Sequence, residues 1–406
     1  MAESSRAAER RDGEALPEDV VVQVLARLPV RSLLRVRAVR KAWCRRVSDR
    51  GFVNTHHRHQ PTQVIISCIG RPFEQFIGFS ARAMDLGAAD RGRVIAGFTH
   101  HLDDLAHYVD DPLLFRVHAS CDGLLLLNAD GAFYLCNPAT RRGTLLPPLG
   151  ANEIMALYRH DPSGEYRVLY RRDGEYRALS VGFHHRWTID LPKPEQLGDP
   201  GMAYVNLRLA GGLPPSYYSP PALVRGVVHW SPQLELAAEG LGLYMVVFDT
   251  VAEVFSWMSP PPAFNLGPPP PPENGMRYTM QLFEMDGSLA LSCCRHISTV
   301  ELWLMQDYES KVWVCTRRVR LPFALVQPGV SAYMVSQKGD VLVNRLQPPQ
   351  EGDVLVNLQQ SVLHYNNAGH LLCEFSDAGR VEFTGHVFKE SLVPPPSAHP
   401  PFFWGL

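Results

Sequence analysis

The sequence has no excess of charge of one sign, no long apolar run and few cysteines. Its 39 Lys and Arg residues nearly balance 41 Asp and Glu residues, for a net charge of -2. No global field therefore attracts the chain to nucleic acid or to an anionic membrane. No apolar run reaches the roughly 18 residues of a transmembrane helix. Residues 1–14 are polar and lack the apolar centre of a secretory signal.

Cysteine usage and glycosylation signals point to the inside of the cell. Eight cysteines in 406 residues are too sparse for a disulfide scaffold. No Asn-x-Ser/Thr sequon occurs in the chain. We therefore expect reduced thiols and a cytoplasmic or nuclear location.

The short motifs that usually carry catalysis are also missing. The sequence has no Walker-type phosphate loop, dinucleotide fingerprint, HExxH, GxSxG or CxxC motif. Strand cysteines are expected to pack as small hydrophobic residues. Clustered histidines such as His56, His57 and His59 are expected in an exposed link before the β region. We predict no catalytic residue, no cofactor and no metal site.

Composition divides the chain into four segments. Hydrophobic residues make up 46% of the sequence and charged residues 20%, as in a globular protein with a sizeable core. The predicted segments are a mobile leader at 1–15, a helical domain at 16–59, a β domain at 60–390 and a Pro-rich tail at 391–406. The segment 191–221 is rich in Pro and Gly and predicts a loop within the β domain.

The helical zone carries apolar residues at one-face spacing. Pro17, Glu18 and Asp19 suit the first turn of a helix, because Pro has a preset φ and acids complement the helix dipole. Pro29 ends this helix, and two more helices are expected before residue 48. Three helices this short cannot bury a stable core alone. Their apolar residues therefore predict a partner surface.

Basic residues are concentrated in the same zone. Residues 31–46 contain no acid and seven bases, namely Arg31, Arg35, Arg37, Arg40, Lys41, Arg45 and Arg46. One interpretation is a solvated helix face, and the other is an acidic partner. Nucleic acid is disfavoured because no aromatic interleaving or known motif accompanies the charge.

From residue 63 onward, a loose unit of short strands repeats. Each unit has an apolar strand after a glycine turn, a second strand and a charged strand. Units begin near residues 63, 121, 154, 226, 287 and 339, which gives about six units of roughly 45–60 residues. This spacing predicts four-stranded propeller blades, with a β-sandwich as the alternative. Residues 381–388 could form the strand that closes the ring.

Residues 16–43 resemble the F-box motif. The matching positions follow F-box spacing without a gap, and they are Leu16, Pro17, Val24, Leu28, Pro29, Leu33, Leu34, Val39, Lys41 and Trp43. The chain departs from the family at Arg40, where a Cys often precedes the Lys, and at Ala42. Neither departure changes the apolar pattern.

The remaining sequence resembles the plant F-box-associated β domain. The most recognisable phrase is the turn at 120–125 followed by Asn137-Pro138-Ala139-Thr140-Arg141. Further phrases are found at 161–168 and at 226–230. The resemblance predicts an α+β multidomain protein, in which a small three-helix F-box precedes a mostly antiparallel β-propeller of about six blades.

The resemblance implies the substrate receptor of a Skp–cullin–F-box ubiquitin ligase, without catalysis of its own. The F-box would dock a Skp-family adaptor, and through it a cullin, by the ten matching positions. Val24 and Val39 could instead pack inside the helical unit. The β domain would bind an unidentified protein target, with no nucleic acid or membrane partner. Two other readings stay open: a propeller enzyme or carbohydrate-binding protein with an incidental helical leader, and a ligase-independent scaffold.

Overall fold

A computed structural model gives the fold of most of the chain. It describes residues 17–39, 41–73, 76–86, 92–101, 115–150, 153–193, 198–214, 220–232, 243–264, 280–296, 298–323, 330–346, 360–376, 380–396 and 402–403. No helix within these ranges is long and apolar enough to cross a membrane. The predicted leader at 1–15 lies outside the described residues.

The N-terminal zone contains four helices within described residues 17–60, where the sequence predicted three. They are α1 (Glu18–Ala26), α2 (Val30–Val39), α3 (Lys41–Ser48) and α4 (Arg50–His59). Helix α4 begins where the Asp49 carboxylate accepts a hydrogen bond from the Phe52 amide at 3.1 Å, a side-chain cap that favours helix initiation. The histidines expected in an exposed link therefore lie on α4, and His56 is fully buried.

The four helices pack around a small apolar core. Its buried members from the helices are Leu25, Ala26, Val30, Leu33, Val47, Phe52 and Val53. One more buried member, Leu392, comes from the other end of the chain. The helical unit is therefore completed by a residue that the sequence assigned to a separate tail.

Strands are the main secondary structure in the rest of the described chain. In chain order the strands are β1 (Gln63–Phe73), β2 (Phe76–Met84), β3 (Arg93–His101), β4 (Phe115–Cys121), β5 (Leu124–Ala129), β6 (Ala132–Asn137), β7 (Arg142–Leu145), β8 (Glu153–His160), β9 (Glu165–Arg172), β10 (Glu175–Ser180), β11 (Arg186–Thr188), β12 (Ala222–Val224), β13 (Val227–His229), β14 (Met245–Asp249), β15 (Val254–Met258), β16 (Met280–Met285), β17 (Ser288–His296), β18 (Thr299–Asp307), β19 (Val312–Arg320), β20 (Val330–Met334), β21 (Val341–Leu346), β22 (Gln360–Tyr365), β23 (Leu371–Phe375), β24 (Arg380–Phe388) and β25 (Phe402–Phe403).

These strands form antiparallel meanders arranged as a propeller-like ring. Among the described residues, three sheets have four strands, in the orders β8–β11, β12–β15 and β16–β19. A fourth sheet runs β4–β7 and gains β25 at its edge. The first strands of neighbouring meanders touch, since β4 contacts both β8 and β24 and β12 contacts β16. The predicted all-β architecture is confirmed.

Four separate sheets have the size of a propeller blade, against about six units expected from the sequence. The other eight strands form one continuous sheet. In it, the meander β20–β23 and the meander β24–β1–β2–β3 are joined by one parallel pairing, Gln360 with Arg380. The difference in count therefore arises where these two meanders meet.

The predicted closing strand is confirmed. Strand β24 pairs antiparallel with β1, with Val64 opposite Val387 and Cys68 opposite Val381. This pairing joins residues more than 300 positions apart. The ring therefore closes by pairing its first strand in the sequence with a strand near the C-terminal end of the β domain. Loop closure of this length is costly in chain entropy, and the paired strands and the core between them offset that cost.

Two-residue turns explain the glycines that mark each unit. Asp122-Gly123 and Asp286-Gly287 both have positive φ at the two central positions, as the type I′ hairpin turn requires. Glycine adopts this conformation without a Cβ penalty, and Asp tolerates it better than most residues. The Asp-Gly pattern thus fixes the register of the apolar strands on either side.

The predicted loop at 191–221 contains a helix, α5 (Pro200–Gly211). The Asp199 side chain accepts from the Met202 amide at 2.9 Å and Pro200 follows it, which is a strong helix start. Buried Tyr204, Val205 and Leu209 pack this helix onto the ring. The loop expectation was wrong because high Pro and Gly content hid a capped helix start.

Replacing Gly201 is expected to detach α5 from the ring. A Cβ at this position would lie 2.3 Å from atoms of the Trp257 ring, so even alanine must displace it. We expect Gly201→Ala to lower the free energy of unfolding by about 1–3 kcal/mol, measured by urea denaturation. Gly211 on the same helix has open space around it, so Gly211→Ala is the matched control. Equal stability of the two variants would contradict the packing argument.

The described residues of the predicted tail, 391–396 and 402–403, pack against the rest of the chain. The C-terminal segment, defined here as residues 389–396, follows β24 and packs between the helices and the β4–β7 sheet. Ser391 and Leu392 within it are buried. Further on, Phe402 and Phe403 pair with Gly143 and Arg142 of β7. The predicted boundary at 391 therefore separates residues that the fold joins.

Candidate functional site

The residues predicted to dock an adaptor fall into two groups. The outer group is exposed to solvent, and the inner group packs in or against the core of the helices. Leu16 lies outside the described residues. Pro17, Pro29 and Lys41 are exposed. Val24, Val39 and Trp43 are 53%, 77% and 36% exposed. The alternative that Val24 and Val39 pack inside the helical unit is therefore wrong.

Leu33 belongs to the inner group. Its side chain is 0% exposed and forms part of the helical core, so a partner could not reach it in this conformation. Leu28 and Leu34 are half-buried and pack against the same core. The sequence predicted Leu33 as an adaptor contact, and the structure corrects this to a packing role. The helix period places its side chain inward, where Leu25 and Val30 also lie.

Hydrogen bonds from the C-terminal end of α4 and from the residue after it fix the connection between α1 and α2. Nε2 of His56 donates to the carbonyl oxygen of Leu28 at 2.8 Å. The Gln60 amide donates to the carbonyl oxygens of Ala26 at 3.4 Å and Leu28 at 3.3 Å. Burial lowers the pKa of His56, although its bond to Leu28 opposes that shift. Two buried polar residues missed by the sequence interpretation therefore fix the turn that presents Leu28 and Pro29.

The basic residues of the helices remain on the outside. Arg31, Arg35, Lys41 and Arg45 are exposed. Arg37 instead donates to the Ser48 hydroxyl at 2.8 Å, which ties α2 to α3. The exposed apolar residues on α1 to α3 therefore share these helices with positive charge, and this combination suits an acidic partner.

A cavity of about 560 Å³ lies where α4 meets the ring. His57 and Arg58 line it from the helix, and the turns at Asp122, Arg225 and Glu284 line it from the ring. Asp122 already accepts from the Tyr166 hydroxyl at 2.8 Å. Glu284 accepts from the Gly287 amide at 2.7 Å. Both carboxylates therefore accept hydrogen bonds from other residues of the ring.

One row of polar side chains has the order of a nucleophilic triad. Cys373 Sγ lies 3.8 Å from Nδ1 of His364, whose Nε2 lies 3.1 Å from the Asp340 carboxylate. Burial raises the pKa of the Cys373 thiol, whereas a nucleophilic cysteine needs a lowered pKa. His364 lowers the pKa of Asp340. These residues tie β21, β22 and β23 together.

Comparison with known proteins gives a family match for the helical zone. Residues 14–57 match the F-box-like family model, so the helical zone is an F-box-like domain, joined here to a propeller-like β domain. The sequence-based resemblance is confirmed for this zone.

Relatives extend the similarity over the β region. F-box protein At5g49610 of Arabidopsis thaliana is 23% identical over 409 residues, covering 95% of this chain and 99% of the relative. Putative F-box protein At5g52610 of the same plant is 22% identical over 304 residues, covering 73% of this chain and 76% of the relative. A chain in a crystal structure of a nidogen/laminin complex is 10% identical with a TM-score of 0.37, and covers 79% of this chain and 96% of its own length. The propeller-like arrangement is seen in the strand pairing of this chain itself.

Proposed function

We propose that this chain is the substrate-recognition subunit of a Skp–cullin–F-box ubiquitin ligase. The helical domain docks a Skp-family adaptor, and the ring domain binds the protein to be ubiquitinated. The observation that carries the proposal is the set of exposed apolar residues on the F-box-like helices, above all Val24, Val39 and Trp43. Water contact at such side chains is unfavourable, and burial against a partner removes it.

The energetics of docking are expected to be concentrated in few residues. Interfaces typically gain most of their binding free energy from a small number of buried anchors, with Trp prominent among them. Trp43 combines the largest apolar area of the outer group with an indole N–H. The exposed bases of α2 and α3 would steer an acidic adaptor and raise its association rate more than its affinity.

The proposed role requires no bond-making by this chain. A receptor accelerates ubiquitin transfer by holding the target near the charged enzyme that other subunits recruit. The gain comes from effective concentration and orientation. Such a complex would operate in the cytoplasm or the nucleus, where its other subunits and its target would have to be present.

Adaptor binding tests the proposal on the full-length chain. We expect a purified Skp adaptor to bind the protein, and a cullin to join the complex. The double variant Val39→Asp/Trp43→Ala is expected to weaken adaptor binding at least 100-fold in calorimetry, because it removes two exposed apolar contacts. Both side chains lie outside the helical core, so the change is expected to leave the melting temperature within about 2 °C.

The matched control is Leu372→Asp. Leu372 is also an exposed apolar residue, but it lies on β23 of the ring, away from the helices. This variant is expected to bind the adaptor as the unmodified protein does. Wild-type affinity in the Val39→Asp/Trp43→Ala variant would show that docking uses another surface, and absence of any adaptor binding would sink the proposed function.

A further inference from the structure

The C-terminal segment is anchored to the ring by one buried amide. Nδ2 of Asn137 donates to the carbonyl oxygens of Ser391 at 2.9 Å and Val393 at 2.7 Å. Oδ1 of Asn137 accepts from the amides of Ala139 and Thr140. Every hydrogen-bonding group of this fully buried side chain is therefore used. The asparagine of the Asn-Pro-Ala-Thr-Arg motif noted in the sequence therefore serves to anchor the C-terminal segment.

The β4–β5 turn leaves just enough room for the segment. A Cβ at Gly123 would lie 2.3 Å from Cβ of Ser391 and 2.7 Å from the carbonyl oxygen of Lys389. Gly123 also has positive φ. Two features of the ring, Asn137 and Gly123, thus place the segment against the helices.

Glu390 reaches from the segment to the start of α2. Its Oε2 accepts from the Val30 amide at 3.1 Å, and its Oε1 pairs with Arg93 Nη2 at 2.6 Å. Its carbonyl oxygen accepts from Nδ1 of His57 at 3.1 Å. Helix α2 has no acidic residue in its own first turn. A carboxylate from a position 360 residues away therefore satisfies one of the free amides of this helix start.

Leu392 completes the apolar core beside it. Its side chain is 4% exposed and packs with the buried residues of α1 to α4. Helices of eight to ten residues are marginal in isolation. Removing one buried leucine from so small a core is therefore expected to loosen the α1–α2 connection and α2 itself, which carry Leu28, Pro29 and Val39.

We propose that Glu390 and Leu392 are positioning residues of the adaptor-docking surface, so that the helices present this surface only after β24 has closed the ring. The inference rests on the proposed function and adds a requirement to it. The docking unit comprises residues 17–60 together with 390–392, and a chain without its C-terminal residues displays an F-box that is not held in the docking conformation.

The test measures adaptor affinity and hydrogen exchange on full-length variants. Leu392→Asp and Glu390→Ala are each expected to weaken adaptor binding at least tenfold and to speed amide exchange in residues 30–39 at least tenfold. Exchange in β14 and β15 is expected to stay unchanged, since their buried residues belong to clusters that contain no residue of the C-terminal segment. Leu392→Met keeps an apolar side chain of similar volume and is expected to restore affinity to within twofold.

The outcomes separate this inference from the proposed function. If the unmodified protein binds no adaptor, the proposed function fails, and exchange in residues 30–39 still decides the positioning role. Unchanged affinity together with unchanged exchange in both variants would overturn the inference. If Leu392→Asp precipitates, Glu390→Ala decides, because the carboxylate is partly exposed and its loss leaves the core filled.

Discussion

Lowering the pH from 7 to 5 is expected to destabilise the ring by about 6 kcal/mol. The cause is three buried histidines that the fold keeps neutral. Burial lowers the pKa of His118 to about 3, and of His229 and His386 to about 4, from the ordinary histidine value of 6.5. Since the unfolded chain binds more protons in this range, stability is intact above pH 6.5 and falls towards pH 4.

The surroundings of these histidines explain the direction. Burial is the main cause of the low pKa of His118, and the neighbouring His386 and Arg116 lower it further. Nε2 of His386 has no hydrogen-bond partner in the described part of the chain. His229 is held by the Ala222 carbonyl at 3.1 Å and the Tyr308 hydroxyl at 2.8 Å. No carboxylate contributes to these shifts, so protonation would bury uncompensated charge.

Urea denaturation at pH 7, 6 and 5 measures this loss. His386→Phe removes one titrating group and fills a similar volume, so its stability is expected to fall about 2 kcal/mol less between pH 7 and 5. His370 is exposed, and His370→Gln is expected to keep the full pH dependence. Stability that holds constant or rises on acidification would refute the neutral assignment.

Replacing Glu253 by alanine is expected to cost about 3–5 kcal/mol of stability. Glu253 follows β14 and accepts hydrogen bonds from three residues of the neighbouring sheet. Its Oε1 accepts from Tyr158 at 2.5 Å and from Arg167 Nη1 at 2.8 Å, and its Oε2 accepts from Trp187 at 2.7 Å. The carboxylate therefore joins two blades. Its loss removes the acceptor of the Tyr158 hydroxyl, of Arg167 Nη1 and of Trp187 Nε1, and the side chains of Arg167 and Trp187 are half-buried.

The control uses the other acid that pairs with the same guanidinium. Glu165 accepts from Arg167 Nη2 at 3.1 Å within a single sheet, and Glu165→Ala is expected to cost about 1 kcal/mol or less. Glu253→Gln keeps the shape and one acceptor, so it should fall between the two alanine variants. Urea midpoints that rank Glu165→Ala as the more damaging change would contradict the inter-blade role.

The sequence predicted the elements whose signals are local. Apolar periodicity located α1 to α3, and repeated strands after glycine turns indicated a propeller-like ring. Helix α5 escaped because Pro and Gly surround its capped start.

The parts that the sequence could not predict depend on contacts between distant segments. Nothing near Val30 indicates that Glu390 will satisfy its amide, and nothing near Leu392 distinguishes it from the Pro-rich residues that follow. The inward position of Leu33 follows from helix packing, which the F-box spacing alone does not resolve. One signal in the sequence could have indicated this anchor. Asn137 lies beside Pro138 at the end of an apolar strand, and a buried amide side chain requires several hydrogen-bond partners.

The shared core of helices and C-terminal segment also affects how the protein could be re-engineered. Receptors built from independent modules allow one recognition domain to be exchanged for another at a linker. Here only residues 60–62 separate α4 from β1, and Leu392 enters the helical core from the opposite terminus. A chimera with a different β domain must therefore carry the segment 389–396 as well as the helices, and must provide contacts equivalent to those of Asn137 and Gly123. Retargeting is better attempted by changing surface loops within the closed ring than by joining its helices to a new domain.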